Sequence, residues 1–301
     1  MFSPSARGGR SFNATLKFRV VAGTLFVVAT PIGNLEDITL RALRVLREVD
    51  LVAAEDTRRT GNLLRHFEIH TPLLSLHEHN ELARVPKVLE HLRAGRSLAL
   101  VSDAGTPGIS DPGATIVRAV REAGFPVVPI PGPSAVATAI SAAGLKEGKF
   151  AFGEFPPIRS KDRKLWFEWV AQHRHENIVF FEAPHRVLQT LAELASILGE
   201  QPILGGREVT KLHEEWMSGS AKVLTERFAE PTGEFVFVIP ASEGNHSERV
   251  PPDDAEICRR FGQITENAAL SRRDAVKQVA ESLGLAPKYV YDAIERAKRF
   301  G

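Results

Sequence analysis

From Thr24 onward, short β-branched and apolar runs alternate with segments whose hydrophobic residues recur at helical spacing. LFVVAT at 25–30 reads as a buried strand, because a continuous apolar run suits a parallel sheet covered on both faces. The next segment sets Leu40, Leu43 and Leu46 at helical spacing, with Arg41, Arg44 and Arg47 on the neighbouring face. That arginine stripe reads as a solvated face, with phosphate binding as the alternative. LVAAE (51–55), LALVS (98–102) and FPVVPI (125–130) are further strands, each following a helical segment. The alternation predicts an α/β layer fold with a mainly parallel sheet.

A second set begins near Phe150, after the turn-forming stretch from Gly144 to Gly148. Its predicted strands are FAFGEF (150–155), NIVFFEA (177–183), ILGGREV (203–209) and EFVFVIP (234–240), with a helix after Pro184. Residues 241–254 are polar with two consecutive prolines and read as a linker. Beyond them Ile257, Phe261 and Ile264 suggest one helix, and Ser271 with Asp274 forms a capping box that starts a second. Gly284 ends it, and Pro287 suits the first turn of a third. The expected domains are a tail at 1–22, α/β domains at 23–146 and 147–240, the linker, and a helical, helix-turn-helix-like module at 255–301.

Composition narrows the class. Of 301 residues, 43% are hydrophobic and 25% charged, ordinary for a globular chain and unlike a disordered or collagenous one. The single cysteine, Cys258, supplies neither an internal disulfide nor a thiolate metal site, so cytoplasm is the expected compartment and no metal is expected. The longest uncharged stretch, Ala123 to Leu145, is interrupted by Pro126, Pro129, Pro131 and Pro133, which argues against a membrane span. Net charge is only +1, so nucleic-acid contact would have to use local patches. The ends supply them: residues 1–22 carry four basic and no acidic side chains, and residues 255–301 nine basic against six acidic.

The most informative segment is VSDAGTPGISDPG (101–113), where glycines and prolines after a strand make a stiff loop at the usual ligand edge of an α/β sheet. Asp111, before Pro112 and a helical pattern, reads as an N-cap. Asp103 lies inside the loop, where its carboxylate either meets a ligand or closes an Asx-turn. PIPGPSAVATAISAAG (129–144) repeats the arrangement, with Ser134 as cap. Only Gly33 follows the first strand, so the dinucleotide and Walker fingerprints are not satisfied. Polar groups gather in AEDTRRT (54–60), SLHEHNE (75–81), EAPHR (182–186) and REVTKLHEE (207–215), just after strands. His77 and His79 lack the further ligand spacing of a zinc site. IRSKDRK (158–164) reads as a basic loop, solvated or in contact with phosphate.

The strings VATPIGNLEDITLRAL, AEDTRRTGNLL, HEHNE, VSDAGTPGISDPG, PGPSA, FFEAPHR and TKLHEE resemble, in order and spacing, the family of ribosomal RNA small subunit methyltransferase I, a branch of the tetrapyrrole methylase superfamily. The resemblance covers about residues 24–240. It implies a two-domain α/β tetrapyrrole-methylase-like fold with a cofactor cleft between the domains, plus the small C-terminal helical module. It also implies S-adenosylmethionine as cofactor, a homodimer, and methylation of the ribose 2′-hydroxyl of one cytidine, position 1402, in 16S rRNA of the 30S subunit. Carried over by position, the cofactor would touch Pro31, Asp103, Gly105, Thr106, Ile109, Ser134 and Ala135, and from the second domain Phe181, Arg207 and Pro240.

Such a transfer needs alignment of the hydroxyl with the methyl carbon and a group to take its proton. The candidates are Glu55, Asp56, His77, Glu182 and Lys211, with Arg58, Arg186 and Arg207 placed to grip phosphate. Two other readings stay open: the same chemistry on a tetrapyrrole or other small molecule, and a ribosome-binding factor without catalysis.

Overall fold

The computed structural model describes residues 23–242, 254–267, 271–283 and 287–300. The expected tail at 1–22 and most of the expected linker lie outside the described residues.

The first five strands, β1 (Leu25–Val28), β2 (Leu51–Ala54), β3 (Leu73–Ser75), β4 (Leu98–Val101) and β5 (Val127–Ile130), form one all-parallel sheet in the order β3-β2-β4-β1-β5. Helices α1 (Leu40–Glu48), α2 (Thr57–His66), α3 (Glu81–Arg93), α4 (Ala114–Glu122) and α5 (Ala135–Ala142) connect or follow these strands. Both faces are covered, which is why these strands are apolar at almost every position. Phe26, Val28, Val52 and Val101 pack with Val45 and Leu46 of α1 on one face. Leu25, Ala53, Leu98 and Leu100 pack with Leu92 of α3 and Ile116 of α4 on the other. Because α1 leaves β1 on one face and α4 leaves β4 on the other, a crevice opens at the carboxyl ends of these neighbouring strands.

The second sheet joins β6 (Phe150–Phe152), β7 (Asn177–Glu182), β8 (Pro202–Arg207), β9 (Glu215–Ser220) and β10 (Phe235–Ile239) in the order β6-β7-β10-β8-β9. Only β6 and β7 run parallel; the other pairs are antiparallel. Helices α6 (Ser160–Gln172), α7 (Val187–Leu198) and α8 (Ala221–Arg227) contribute Phe167, Leu191, Leu194 and Leu224 to the core on one face. The other face meets the first lobe: Val136 and Ala139 of α5 lie in one buried cluster with Val179, Val236 and Val238. The two sheets therefore belong to one compact unit ending at Ser242.

Three local expectations change. Residues 160–164 are the first turns of α6 and not a basic loop. Helical spacing there lets Arg163 turn inward, where it bonds Thr190 at 2.8 Å and Glu193 at 3.0 Å, while Phe167 and Val170 enter the core. Strands β3 and β9 are additional: LLS is too short to show a period, and EWMSGS mixes polar and small residues at the edge of its sheet. The third change concerns α4. Its N-terminus is capped across space by Glu81 of α3, whose Oε1 accepts from the backbone N–H of Gly113, Thr115 and Ile116 at 3.1, 2.7 and 3.1 Å. Asp111 is thereby released from the capping role its position suggests.

Residues from Glu243 onward belong to a second compact unit. Its helices are α9 (Asp254–Asn267), α10 (Arg272–Leu283) and α11 (Pro287–Phe300), packed through Ile257, Val276, Val279, Val290 and Ile294. Ser271 caps α10, its Oγ accepting from the Asp274 backbone N–H at 3.3 Å and donating to the Asp274 carboxylate at 2.6 Å.

Candidate active site

Three loops leave the carboxyl ends of β1, β4 and β5 and are stitched together by hydrogen bonds. Thr30 and Gly105 exchange two backbone bonds of 2.9 and 3.0 Å, and Thr106 Oγ1 donates to the Pro133 carbonyl at 3.2 Å. Gly105 has φ +80°, a conformation that glycine adopts without the steric penalty of a side chain. Thr39, Asp56 and Ser134 cap α1, α2 and α5 with their side chains, which fixes where each loop hands over to its helix.

Against these loops the second sheet presents the carboxyl end of β7 and the amino end of β10. Between them lies a cleft of about 240 Å³. The first lobe gives it Gly105, Thr106, Ile109, Asp111, Ser134 and Ala135, and the second gives Phe155, Phe181, Glu182, Val209, Glu234 and Val236. Phe155 and Phe181 lie 5.4 Å apart, forming an aromatic wall. Apolar walls with a few polar groups and exposed loop backbone suit a flat heterocycle with a polar tail. A Cβ built on Gly105 would come within 3.4 Å of Ile32, so the loop lies close against that wall.

Of the cofactor residues expected from the sequence, Gly105, Thr106, Ile109, Ser134, Ala135 and Phe181 line this cleft. Pro31 and Asp103 instead line an adjacent recess of about 420 Å³, with Arg59, Asn62 and His66 at its edge. Asp103 braces that recess: its Oδ1 accepts from the Asp56 backbone at 2.9 Å and its Oδ2 lies 3.3 Å from Arg59. Pro240 does not line the cleft, because of strand direction. β10 runs antiparallel to β7, pairing Phe235 with Glu182, so the cleft meets the start of β10 and Pro240 follows its far end. There its carbonyl accepts from Gln201 at 2.6 Å. Arg207 pairs with Phe235 in register, yet its guanidinium turns away to Thr232, with bonds of 2.9 and 2.6 Å.

The catalytic candidates separate by their partners. Asp56 is forked by Arg58 at 2.7 and 3.2 Å, which holds its carboxyl well below the usual range and occupies Arg58 as well. Glu182 is fully buried, accepting from Thr190 at 2.5 Å and from Arg186 at 2.7 Å. Lys211 sits between Glu208 at 2.9 Å and Glu234 at 3.0 Å. Burial alone would lower its ammonium, but these carboxylates outweigh burial and push it above its ordinary value, so it stays charged. His77 packs edge-on to His79, ring centres 6.0 Å apart, and is not among the residues lining the cleft or the recess. Glu55 lies beside the recess, its carboxyl pushed up by burial, with the Asp103 N–H at 3.4 Å opposing that shift.

Asp111, Phe155 and Glu234 are among the cleft residues that sequence reasoning passed over. Burial pushes the Asp111 carboxyl up to about 6; the Ser102 hydroxyl opposes this, while the charges of Glu55 and Asp103 add to it. The signal for Phe155 was an aromatic residue just past a strand in GEFPP; for Asp111 the Asp-Pro pair pointed to a cap.

This fold and cleft define the class. The model of the Tetrapyrrole (Corrin/Porphyrin) Methylases matches residues 24–225. Among solved structures, uroporphyrin-III-C-methyltransferase from Thermus thermophilus superposes with a TM-score of 0.51 at 22% identity, over 72% of this chain and 94% of that one. A diphthine synthase does so with a TM-score of 0.55 at 16% identity, over 72% and 90%. These likenesses establish the fold. Two curated proteins named ribosomal RNA small subunit methyltransferase I are closer in sequence. The one from Synechocystis is 43% identical, covering 89% of this chain and 96% of its own length, and the one from Bacillus subtilis is 40% identical, covering 90% and 94%. The chain belongs to that family of small-subunit ribosomal RNA methyltransferases, within the tetrapyrrole methylases.

Proposed function

We propose that this protein methylates the ribose 2′-hydroxyl of a cytidine in 16S rRNA, at position 1402, with S-adenosylmethionine as donor. The observation that carries the reading is the cleft built from the 104–111 and 133–136 loops, in a chain whose curated relatives share its length and about 40% of its residues. The donor, when bound, supplies an electrophilic methyl on sulfur. Gly105, Thr106 and Ser134 would offer it backbone and hydroxyl groups, and Ile109, Ala135 and Phe181 would enclose its ring. Asp103, held by the Asp56 backbone and Arg59, keeps the neighbouring recess open at the point where the two cavities share the 31–32 and 103–104 chain segments. The recess would receive the acceptor nucleotide. The chain's main contribution is alignment, which in favourable cases supplies about 7–11 kcal/mol.

The reading includes a cytoplasmic homodimer and a 30S substrate. Among the described residues no helix is long and apolar enough to cross a membrane. The helices of the second unit offer Lys288 to phosphate, while Arg296 is forked by Asp254 at 2.8 and 2.9 Å and is the weaker candidate. The side chains of Lys298 and Arg299 lie outside the described residues.

The test is radiolabelled methyl transfer to 30S particles from a strain lacking the modification, followed by nuclease mapping and mass spectrometry. Label on the cytidine ribose is expected. Label on the base would overturn the regiochemistry, and unlabelled RNA would overturn the ribosomal substrate in favour of a small-molecule acceptor.

A further inference from the structure

A ribose hydroxyl that attacks carbon must lose its proton, and the group that takes it has to line the donor cleft within reach of the recess, as Asp111 does through its hydrogen bond to Ser102 of the recess wall. Three carboxylates line the cleft: Asp111, Glu182 and Glu234. Glu182 is bound to Arg186 and Thr190, and Glu234 to Lys211, so each is paired with a cation. Asp111 has no cation within ion-pair distance among the described residues, and its hydrogen-bond partner is the neutral Ser102 hydroxyl. Its backbone is also specially set. Ser110 before it holds φ +59°, uncommon for a residue with a side chain, and Gly113 after it holds φ +127°. Glu81 has taken over the capping of α4, so the Asp111 carboxylate is not spent on backbone N–H groups.

We infer that Asp111 is the catalytic residue that accepts the proton of the attacking hydroxyl, an inference that rests on the 2′-O-methylation reading above. In the step the bond from oxygen to the methyl carbon forms as the carbon–sulfur bond breaks. The hydroxyl proton passes to an Asp111 oxygen and from there to water, with no oxidant or reductant. Of the groups around Asp111, the Ser102 hydroxyl favours its ionised form, while the charges of Asp103, from the loop after β4, and Glu55, just past β2, favour its protonated form; Glu182 and Glu234, both paired, stand on the same cleft. The Arg59 guanidinium nearby is engaged by Asp103. A base poised near neutrality combines a populated ionised form with useful basicity, which an ordinary aspartate lacks.

The experiment compares the parent with Asp111→Asn and Asp111→Glu in single-turnover transfer to 30S particles between pH 5 and 9. Donor affinity by calorimetry and circular dichroism accompany it. The parent rate is expected to rise about tenfold per pH unit below about 6 and then to level. Asp111→Asn should lower the rate by about 10²–10⁴-fold and lose that limb, with donor affinity within about threefold, and Asp111→Glu should recover part of the rate. A side-chain carboxyl NMR titration of the free protein should find Asp111 with a midpoint near 6. A folded Asp111→Asn with a rate within threefold of the parent overturns the inference, as does a parent profile that is flat from pH 5 to 7.5. Loss of donor affinity in proportion to rate also overturns it, making Asp111 a donor ligand instead. Should Asp111→Asn fail to fold, the parent profile and the NMR midpoint still decide. A parent that binds donor but labels no RNA fails the 2′-O-methylation reading itself, a different result from any of these.

Discussion

Glu81 is a buried carboxylate on α3 whose one oxygen holds three N–H groups at the start of α4, and α4 anchors the loop that carries Asp111. Replacing it with alanine removes all three bonds. The loss of a side-chain cap costs about 0.5–2 kcal/mol, and leaving buried donors without acceptors costs about 1–3 kcal/mol more. The carboxylate's interaction with the helix dipole adds about 0.3–1 kcal/mol. These contributions overlap, and Glu81→Ala is expected to destabilise by about 3 kcal/mol. Glu81→Gln keeps an acceptor of the same reach and should lose only the charge, about 1 kcal/mol. Urea unfolding measures the difference, and amide exchange locates it: protection at Gly113, Thr115 and Ile116 should fall about 100-fold in the alanine variant and far less in the glutamine variant. Because the loop is displaced, donor affinity should weaken in parallel. An alanine variant within 0.5 kcal/mol of the parent, or equal losses in the two variants, would refute the view that a distant carboxylate orders this loop.

Other expectations follow from the same geometry. A Cβ at Gly33 would stand 2.7 Å from Thr210 Oγ1 and 3.0 Å from the Val209 carbonyl, so Gly33→Ala must part the two loops beside the cleft; calorimetry should show weaker donor binding by about tenfold, corresponding to about 1.4 kcal/mol. Asp111 binds its proton more tightly folded than unfolded, so its contribution to stability is complete below its ordinary pKa of 3.8 and is lost as pH rises through about 6. Thermal melts should therefore show Asp111→Asn gaining on the parent between pH 4.5 and 8. Deleting residues 255–301 should leave donor affinity unchanged, since the cleft lies wholly in the first unit. The same deletion should weaken 30S binding and flatten its salt dependence by about 0.7–0.9 per lost phosphate contact; a parental slope in a folded truncation would remove the module from RNA binding.

Much of this protein is written in short-range pattern. Continuous apolar runs such as LALVS mark the parallel strands because both faces of that sheet are covered, and Ser134 and Ser271 mark helix starts because a cap acts over three residues. The glycine-rich segment at 101–113 shows by itself where a ligand edge lies, since its backbone conformations exclude a regular element. What it cannot show is which way each side chain turns. Asp103 reads as the loop carboxylate open to a ligand and Asp111 as a helix cap, yet Asp103 is engaged by Asp56 and Arg59 and Asp111 lines the cleft, a division decided by contacts with β2 and α2, more than 40 residues earlier in the chain, and by Glu81 taking over the cap. The resemblance sets Pro240 at the site, whereas the antiparallel direction of β10 puts it beyond the strand's far end from the cleft, a property of pairing and not of composition. Arg163 looked like surface charge until Thr190 and Glu193 met it from another helix. Local sequence determined the elements and the loops between them. Which carboxylates stayed unpaired was decided by tertiary structure alone, because a charge is neutralised by whatever the fold brings within hydrogen-bonding distance, however far away it stands in the chain.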